Sequence, residues 1–396
     1  MKDYIYPLLR CILLGVYFFT YLMPRKKNRW VFGEAHGFNN NSKYLFLDVI
    51  NSAPEIEAYW IGDSQTVKQL QEKGLPAYSR FSVYGIFLCL TSKIYVVSWT
   101  HGDVNFYLSG GADVVNLWHG LAWKKCLWLE PKYAKYENVS FWRKMAHVIM
   151  SPILYFPPKL VLSTSPFYTG IYAKMFKVKK DQCVEDIYPR VKFMMQSQDE
   201  IIAYLKKYSL NEHIKLIEKL SSYRKVYLYA PTFRDTGEDF VASSGIDFYA
   251  LNGQLVKETS FLIVKFHPST IYDSSKYSSL TNIVFLNKKY DLNAIMPFTD
   301  VLISDYSTTL IDYMLLKKKM IAFIFDYEKY ISTCRELLFD IKESLQGVPI
   351  ANNADELIEM MFSDSMEIPD IPQELFDRYW KPTGNILDRI KQLSQS

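Results

Sequence analysis

Four short polar clusters stand directly behind apolar runs. They are Trp118-His119-Gly120 after 114–117, Pro231-Thr232-Phe233-Arg234 after 226–230, His267-Pro268 after 261–266, and Asp305-Tyr306-Ser307-Thr308 after 301–304. The imidazoles of His119 and His267 suit proton transfer near neutral pH, although a lone histidine more often serves packing. The Arg234 guanidinium has the fork geometry that matches phosphate oxygens, with a surface ion pair to Asp235 or Glu238 as the alternative. Ser307, Thr308 and Thr309 stand where a strand hands over to a helix. Hydroxyls and free amides there either receive an anion or cap the helix. Asp312, four residues beyond Thr308, either accepts hydrogen bonds from ribose hydroxyls or stands in solvent.

All four clusters are placed by the strands they follow, because open α/β sheets bind ligands outside the carboxyl ends of their strands. Short apolar runs rich in β-branched and aromatic residues occur at 30–33, 57–61, 94–98, 114–117 and 160–163. A second series follows at 226–230, 261–266, 283–286, 301–304 and 320–325. Helical spacing falls between most of them, as at 41–51, where Ser42 is a candidate N-cap, and at 354–362. Continuous apolar runs of this kind are expected of parallel strands covered on both faces. The expected architecture is therefore α/β: two doubly wound, Rossmann-like halves facing a cleft, the first over 30–190 and the second over 191–372. A helix over 373–396 closes the chain.

The chain of 396 residues has 46 Lys and Arg against 42 Asp and Glu, and this small excess argues against a nucleic-acid binder. Neither G-x-x-x-x-G-K-[ST] nor G-x-G-x-x-G occurs, which disfavours P-loop and dinucleotide-binding chemistry. No Asp-x-Asp occurs either, so a carboxylate pair holding a metal against a diphosphate is not expected. Cys11, Cys89, Cys126, Cys183 and Cys334 lie far apart with no CxxC, as expected of reduced thiols in a cytoplasmic protein. Residues 4–23 are almost wholly apolar, broken by Pro7 and Arg10, and a basic cluster of Arg25, Lys26, Lys27 and Arg29 follows. The charges come after the apolar stretch, unlike a signal peptide. A span, an interfacial helix and a buried first helix are the three readings. The favoured one is an apolar anchor over 1–29 that lies on the cytoplasmic face of the membrane, with its basic cluster toward anionic headgroups. Aromatic residues make up 16% of the chain, which reflects either composition or work at a membrane interface.

The segments NLWHGLAWKK (116–125), YAPTFRD (229–235), KFHP (265–268) and DVLISDYSTTLIDYMLLKKKMIAFIFDYEKY (300–330) resemble the CDP-glycerol glycerophosphotransferase family, which includes teichoic acid primases and polymerases and related capsule enzymes. WVFGEAHGFNNNSKYLF (30–46) and IYPR (187–190) add weaker matches. The resemblance implies a GT-B fold that works without a metal or other cofactor and holds a CDP-activated polyol in its second half. The implied reaction is attack of an acceptor hydroxyl on the donor β-phosphorus with release of CMP. His119 would be the base, and His267, Arg234, Ser307 and Thr308 would hold the diphosphate. Thr232, Asp305 and Asp312 would line the donor site, and Lys124 and Arg190 would meet acceptor or donor phosphates. Glu34 and His36 are possible further acceptor-side groups. Implied partners are a lipid-linked glycan or polymer acceptor, the membrane surface and a possible second copy of the chain. CDP-ribitol as donor and sugar transfer from a nucleotide sugar are the alternatives. Leu121, Ala122 and Trp123 depart from the family's usual small residue and Pro after the WHG element. Ile187 and Lys192 stand where its Gly and Asp are usual.

Overall fold

The structure, a computed structural model, describes residues 2–208, 210–234, 243–267, 270, 272–287, 290–333 and 336–396, with backbone alone at 2–8 and 274. Asp235, Glu238, Pro268 and Cys334 lie outside the described residues. The chain divides into two units. The first comprises Met1–Gly120, Cys126–Arg190 and Asp377–Ser396, and the second Leu121–Lys125 and Val191–Phe376. The expected closing helix is two helices, Gln373–Tyr379 and Ile386–Gln395, and the second of them packs on the sheet of the first unit.

The first unit is built on β1 (Lys26–Gly33), β2 (Glu57–Gly62), β3 (Ala77–Ser79), β4 (Ser92–Val97), β5 (Asp113–Asn116), β6 (Leu160–Ser163) and β7 (Cys183–Glu185). All pairings are parallel, in the order β3-β2-β1-β4-β5-β6-β7. Trp30, Val31 and Phe32 in β1 and Tyr95, Val96 and Val97 in β4 have no exposed surface, which is why these strands read as unbroken apolar runs. The second unit repeats the plan with β8 (Lys225–Tyr229), β9 (Ser260–Val264), β10 (Ile283–Phe285), β11 (Val301–Ser304), β12 (Lys319–Phe323) and β13 (Ile350–Ala351). Its order is β10-β9-β8-β11-β12-β13, again parallel. In both sheets the chain reverses its direction of strand addition once, between β1 and β4 and between β8 and β11. Those switch points leave a crevice at the strand carboxyl ends.

Helix α1 (Lys2–Phe19) corrects the anchor expectation in part. Among the described residues no helix is long and apolar enough to cross a membrane. One side of α1 is instead packed on the first unit: Tyr17 is 5% exposed and stacks on Phe106 at 4.9 Å. Gly110 permits this approach, since a Cβ there would lie 2.0 Å from the Tyr17 carbonyl oxygen. The other side leaves Leu9, Ile12, Phe18 and Phe19 exposed, as is Leu22 just beyond the helix. The basic cluster is also largely engaged within the fold rather than displayed. Arg25 donates to the carbonyls of Cys89, Ser92, Leu108 and Gly110. Lys26 and Arg29 pair with Glu57, and Lys27 meets the Gln395 carbonyl. Cys11, Cys89 and Cys183 are free thiols.

Candidate active site

In the first unit the site forms at the β1/β4 switch point. Helix α2 (Asn40–Ser52) starts just beyond β1, capped at Asn39 rather than at the expected Ser42, and its first turn is buried at Asn41 and Ser42. Asn41 is the residue the sequence reading passed over. Its side-chain amide donates to the Trp118 carbonyl at 2.8 Å, and its oxygen accepts the Arg190 N–H at 3.3 Å. Asn116, at the end of β5, accepts the Trp118 N–H at 2.8 Å. Trp118 is thereby held at φ 54°, a left-handed conformation that is costly for a bulky residue and survives only where its surroundings impose it. The consequence is that the next residue, His119, turns its ring onto Trp99 and Trp118, with centroids 4.4 and 4.3 Å away.

His119 Nδ1 is buried without a hydrogen-bond partner. Burial first, and then the charge of Arg190, push the ring down to about 3, so it is neutral throughout the physiological range. Arg190 is 5% exposed and donates to the His119 carbonyl at 2.5 Å. That corrects its expected role: the guanidinium fastens the His119 turn from inside and is not presented to a phosphate. Asp103 Oδ2 accepts the N–H groups of Ser98, Trp99 and Thr100 at 3.0, 2.7 and 3.3 Å, which shapes the turn after β4. The sequence carries a signal for Asp103 that went unread, the Thr-x-x-Asp spacing of a capping box starting at Thr100. Glu34 is buried beside Asn40, Ser98 and the His36 backbone, while His36 itself is exposed.

In the second unit the residues gather at the β8/β11 switch point. Arg234 donates to Asp326 Oδ2 at 2.7 Å and Oδ1 at 3.0 Å, to Asp305 Oδ2 at 2.8 Å and to the Thr232 carbonyl at 2.6 Å. Tyr306 and Tyr330, stacked on each other at 3.7 Å, also face it. Asp305 is 1% exposed and accepts the N–H groups of Thr232 and Tyr306 as well. These facts correct two expectations. Arg234 and Asp305 form a clamp that ties together the segments after β8, β11 and β12. With two carboxylates against one guanidinium, it offers a phosphate no net positive charge. Asp326 was missed, although its place directly after a strand made it eligible.

Asp312 is 3% exposed in α3 (Thr309–Met314), on the buried side of the helix, so it is not the carboxylate standing in solvent that was the alternative for it. Ser307 and Thr308 are half-buried at the start of α3, and the Ser307 hydroxyl lies 2.8 Å from the Thr309 hydroxyl and accepts the Thr309 N–H. Thr232 Oγ1 is buried without a hydrogen-bond partner. His267 is exposed beyond β9, its ring 5.2 Å from Phe233. Lys124 belongs to this unit through the short pairing of residues 123–125 with 336–338 and places its ammonium 5.1 Å from the Tyr330 ring. A cavity of about 560 Å³, lined among others by Arg234, Asp326, Lys329, Tyr330, Lys342 and Asn352, opens beside the clamp. Among the described residues no three His, Cys, Asp or Glu side chains gather as a metal site.

The chain is 24% identical over 349 residues to the teichoic acid poly(glycerol phosphate) polymerase of Bacillus subtilis (strain 168), a match covering 85% of this chain and 44% of that protein. It is 22% identical to the teichoic acid glycerol-phosphate transferase of Staphylococcus aureus (strain NCTC 8325 / PS 47), covering 85% of this chain and 83% of the relative. Of solved structures, the wall teichoic acid polymerase TagF superposes with a TM-score of 0.72 at 20% identity over 94% of this chain and 89% of that one, a likeness of fold. The model of the CDP-glycerol:poly(glycerophosphate) glycerophosphotransferase family matches residues 15–375, and the chain belongs to that family.

Proposed function

We propose that the protein transfers glycerol phosphate from CDP-glycerol to a hydroxyl of a membrane-linked glycan or polyol-phosphate polymer, in teichoic acid or capsule-type synthesis, and releases CMP. The observation that carries this reading is the His119 ring, neutral and held by a strained turn with an unpartnered nitrogen, in a chain of this family. On this reading the ring receives the acceptor proton as the hydroxyl oxygen attacks the β-phosphorus. His267, Lys124 and the Ser307 and Thr308 hydroxyls then meet the diphosphate, and the cavity beside the Arg234 clamp seats the nucleoside, its volume being within the range of ligand pockets. Positioning and neutralisation of charge dominate such transfers, so no metal is required. The strand order of each sheet and the likeness to TagF support assignment to the GT-B class. The exposed apolar side of α1 supports peripheral association with a membrane rather than a span.

The test offers the purified full chain CDP-glycerol, CDP-ribitol and UDP-sugars in turn with lipid-linked acceptors and follows nucleotide release. CMP release from CDP-glycerol is expected. Release from UDP-sugars alone would overturn the reading.

A further inference from the structure

Trp99 stands just beyond β4, at the β1/β4 switch point, and is 40% exposed. Its ring stacks on that of Trp118 at 5.2 Å with the planes 14° apart, and Trp118 is 1% exposed. An exposed tryptophan by itself would need no explanation. This one adjoins the reacting group, its ring centroid 4.4 Å from that of His119 and the two planes tilted by 34°. Both ends of its backbone are fixed. The Trp99 N–H donates to Asp103 Oδ2 at 2.7 Å, and the Trp99 carbonyl accepts from the Asn116 side-chain amide at 2.9 Å. Trp118, which backs the indole, is in turn held edge-on against Phe176 at 5.2 Å. A recess that Trp99 lines with Trp128, Ile153 and Leu154 has a volume of about 20 Å³, room for no more than a water. A larger ligand therefore meets Trp99 on its exposed surface.

Charge and shape decide what that ligand is. A polyol phosphate chain would bring an anion here and require a cation to receive it. The guanidinium groups of this region are turned to the backbone: Arg190 donates to the His119 carbonyl, and Arg80 to those of Gly102 and Asp103. His36 is exposed and within electrostatic reach of His119, and its ring nitrogens suit a hydroxyl. A pyranose matches such a surface. Its C–H face is apolar and slightly positive and lies against the negative face of an aromatic ring, while its hydroxyls stay free at the rim. An acceptor hydroxyl within roughly 3 Å of the His119 ring puts the sugar that bears it over the adjoining indole.

We propose that Trp99 is an acceptor platform, on which the terminal pyranose of a glycan acceptor stacks with a hydroxyl turned to His119. The subsite rests on the glycerophosphotransferase reading above for the role of His119. It deepens that reading by choosing the sugar-ended acceptor over the polyol phosphate chain. Trp99 is a positioning residue for the acceptor and takes no part in donor binding.

The test gives the full chain CDP-glycerol with lipid-free acceptors that end either in a pyranose or in glycerol phosphate. The pyranose-ended acceptors should be preferred. Trp99→Leu keeps apolar bulk against Trp118 but loses the aromatic face, and should raise the acceptor KM roughly tenfold with the donor KM unchanged, while Trp99→Tyr recovers most of the affinity. Binding without turnover is read by saturation-transfer NMR with methyl β-D-glucopyranoside and no donor. Transfer should be strongest to the C–H protons of one sugar face and be lost in Trp99→Leu. Preference of the wild-type chain for glycerol phosphate ends would overturn the subsite without recourse to any variant. A lower kcat in Trp99→Leu at an unchanged acceptor KM would also overturn it, by reducing the ring to a support for His119. An unchanged acceptor KM with weaker binding to anionic vesicles would do the same, by making Trp99 a membrane contact. Nucleotide release from UDP-sugars alone, with saturation transfer still dependent on Trp99, would keep the subsite and sink the transferase reading instead.

Discussion

Replacing Arg234 with Met separates two accounts of the same residue. A phosphate ligand would be removed with little effect on folding, and the donor KM would rise. In the structure the guanidinium is 9% exposed and faces Asp305 at 1% and Asp326 at 15%, so the change leaves two largely buried carboxylates without their cation. Breaking a buried ion pair from one side costs about 3–5 kcal/mol. The lower end applies here, because Asp305 keeps the Thr232 and Tyr306 N–H groups and Asp326 keeps the Tyr306 hydroxyl at 2.9 Å. For a unit of this size about 3 kcal/mol corresponds to a fall in melting temperature of roughly 6–12 °C. Arg234→Lys keeps the charge, loses the fork and should fall between the two. Scanning calorimetry of the full chain, read with the donor KM, decides the matter. An unchanged unfolding transition together with a tenfold higher donor KM would refute the clamp and restore the phosphate-ligand account.

His119→Ala should retain donor binding and lose about 10²–10⁴-fold in kcat, measured as CMP release, and full activity in that variant would remove the base assignment. Because burial and Arg190 hold the wild-type ring near 3, the free base is present down to about that pH, and kcat/KM should show no acid limb from His119 near pH 6.5. Burial pushes the Asp103 carboxyl up to about 8 in the folded chain, well above the ordinary carboxylate range, so its contribution to stability is complete below about 4 and is lost as the pH rises through 8. Asp103→Asn should flatten the dependence of stability on pH across that window, as read by urea unfolding at a series of pH values. Tyr17→Ala should cost about 3 kcal/mol of stability in the first unit by removing a buried aromatic, visible as a lower midpoint in thermal melts. Chelation of divalent cations should leave nucleotide release unchanged, and a loss restored by Mg²⁺ would refute the metal-free reading.

Much of the frame was legible because parallel strands buried on both faces leave an unbroken apolar signature. The runs at 30–33, 94–98, 226–230 and 301–304 locate β1, β4, β8 and β11, which flank the two switch points. Short edge strands such as Ala77–Ser79 and Ile350–Ala351 carry too few residues to stand out from loops. β1 begins at Lys26, four residues before its apolar run, because Lys26 and Arg29 meet Glu57 on the neighbouring strand. Clusters of functional type were found where they follow a strand, as with His119 and Arg234. Residues that act by holding others, such as Asn41 and Asp103, were not, since no local pattern says what a buried amide or carboxylate will bond.

What the sequence by itself determined was the alternation of strands and helices, the placing of its polar clusters at strand ends and, through its motifs, the family. Tertiary structure alone decided the work of each charge. Arg25, Arg190 and Arg234 look alike in sequence, as cations near candidate sites. Each proves to be closed within the fold, on carbonyls or carboxylates from segments far away in the chain. A buried charge must find its counter-charge and hydrogen bonds inside the fold, and those partners are set by which strand ends and turns packing brings together.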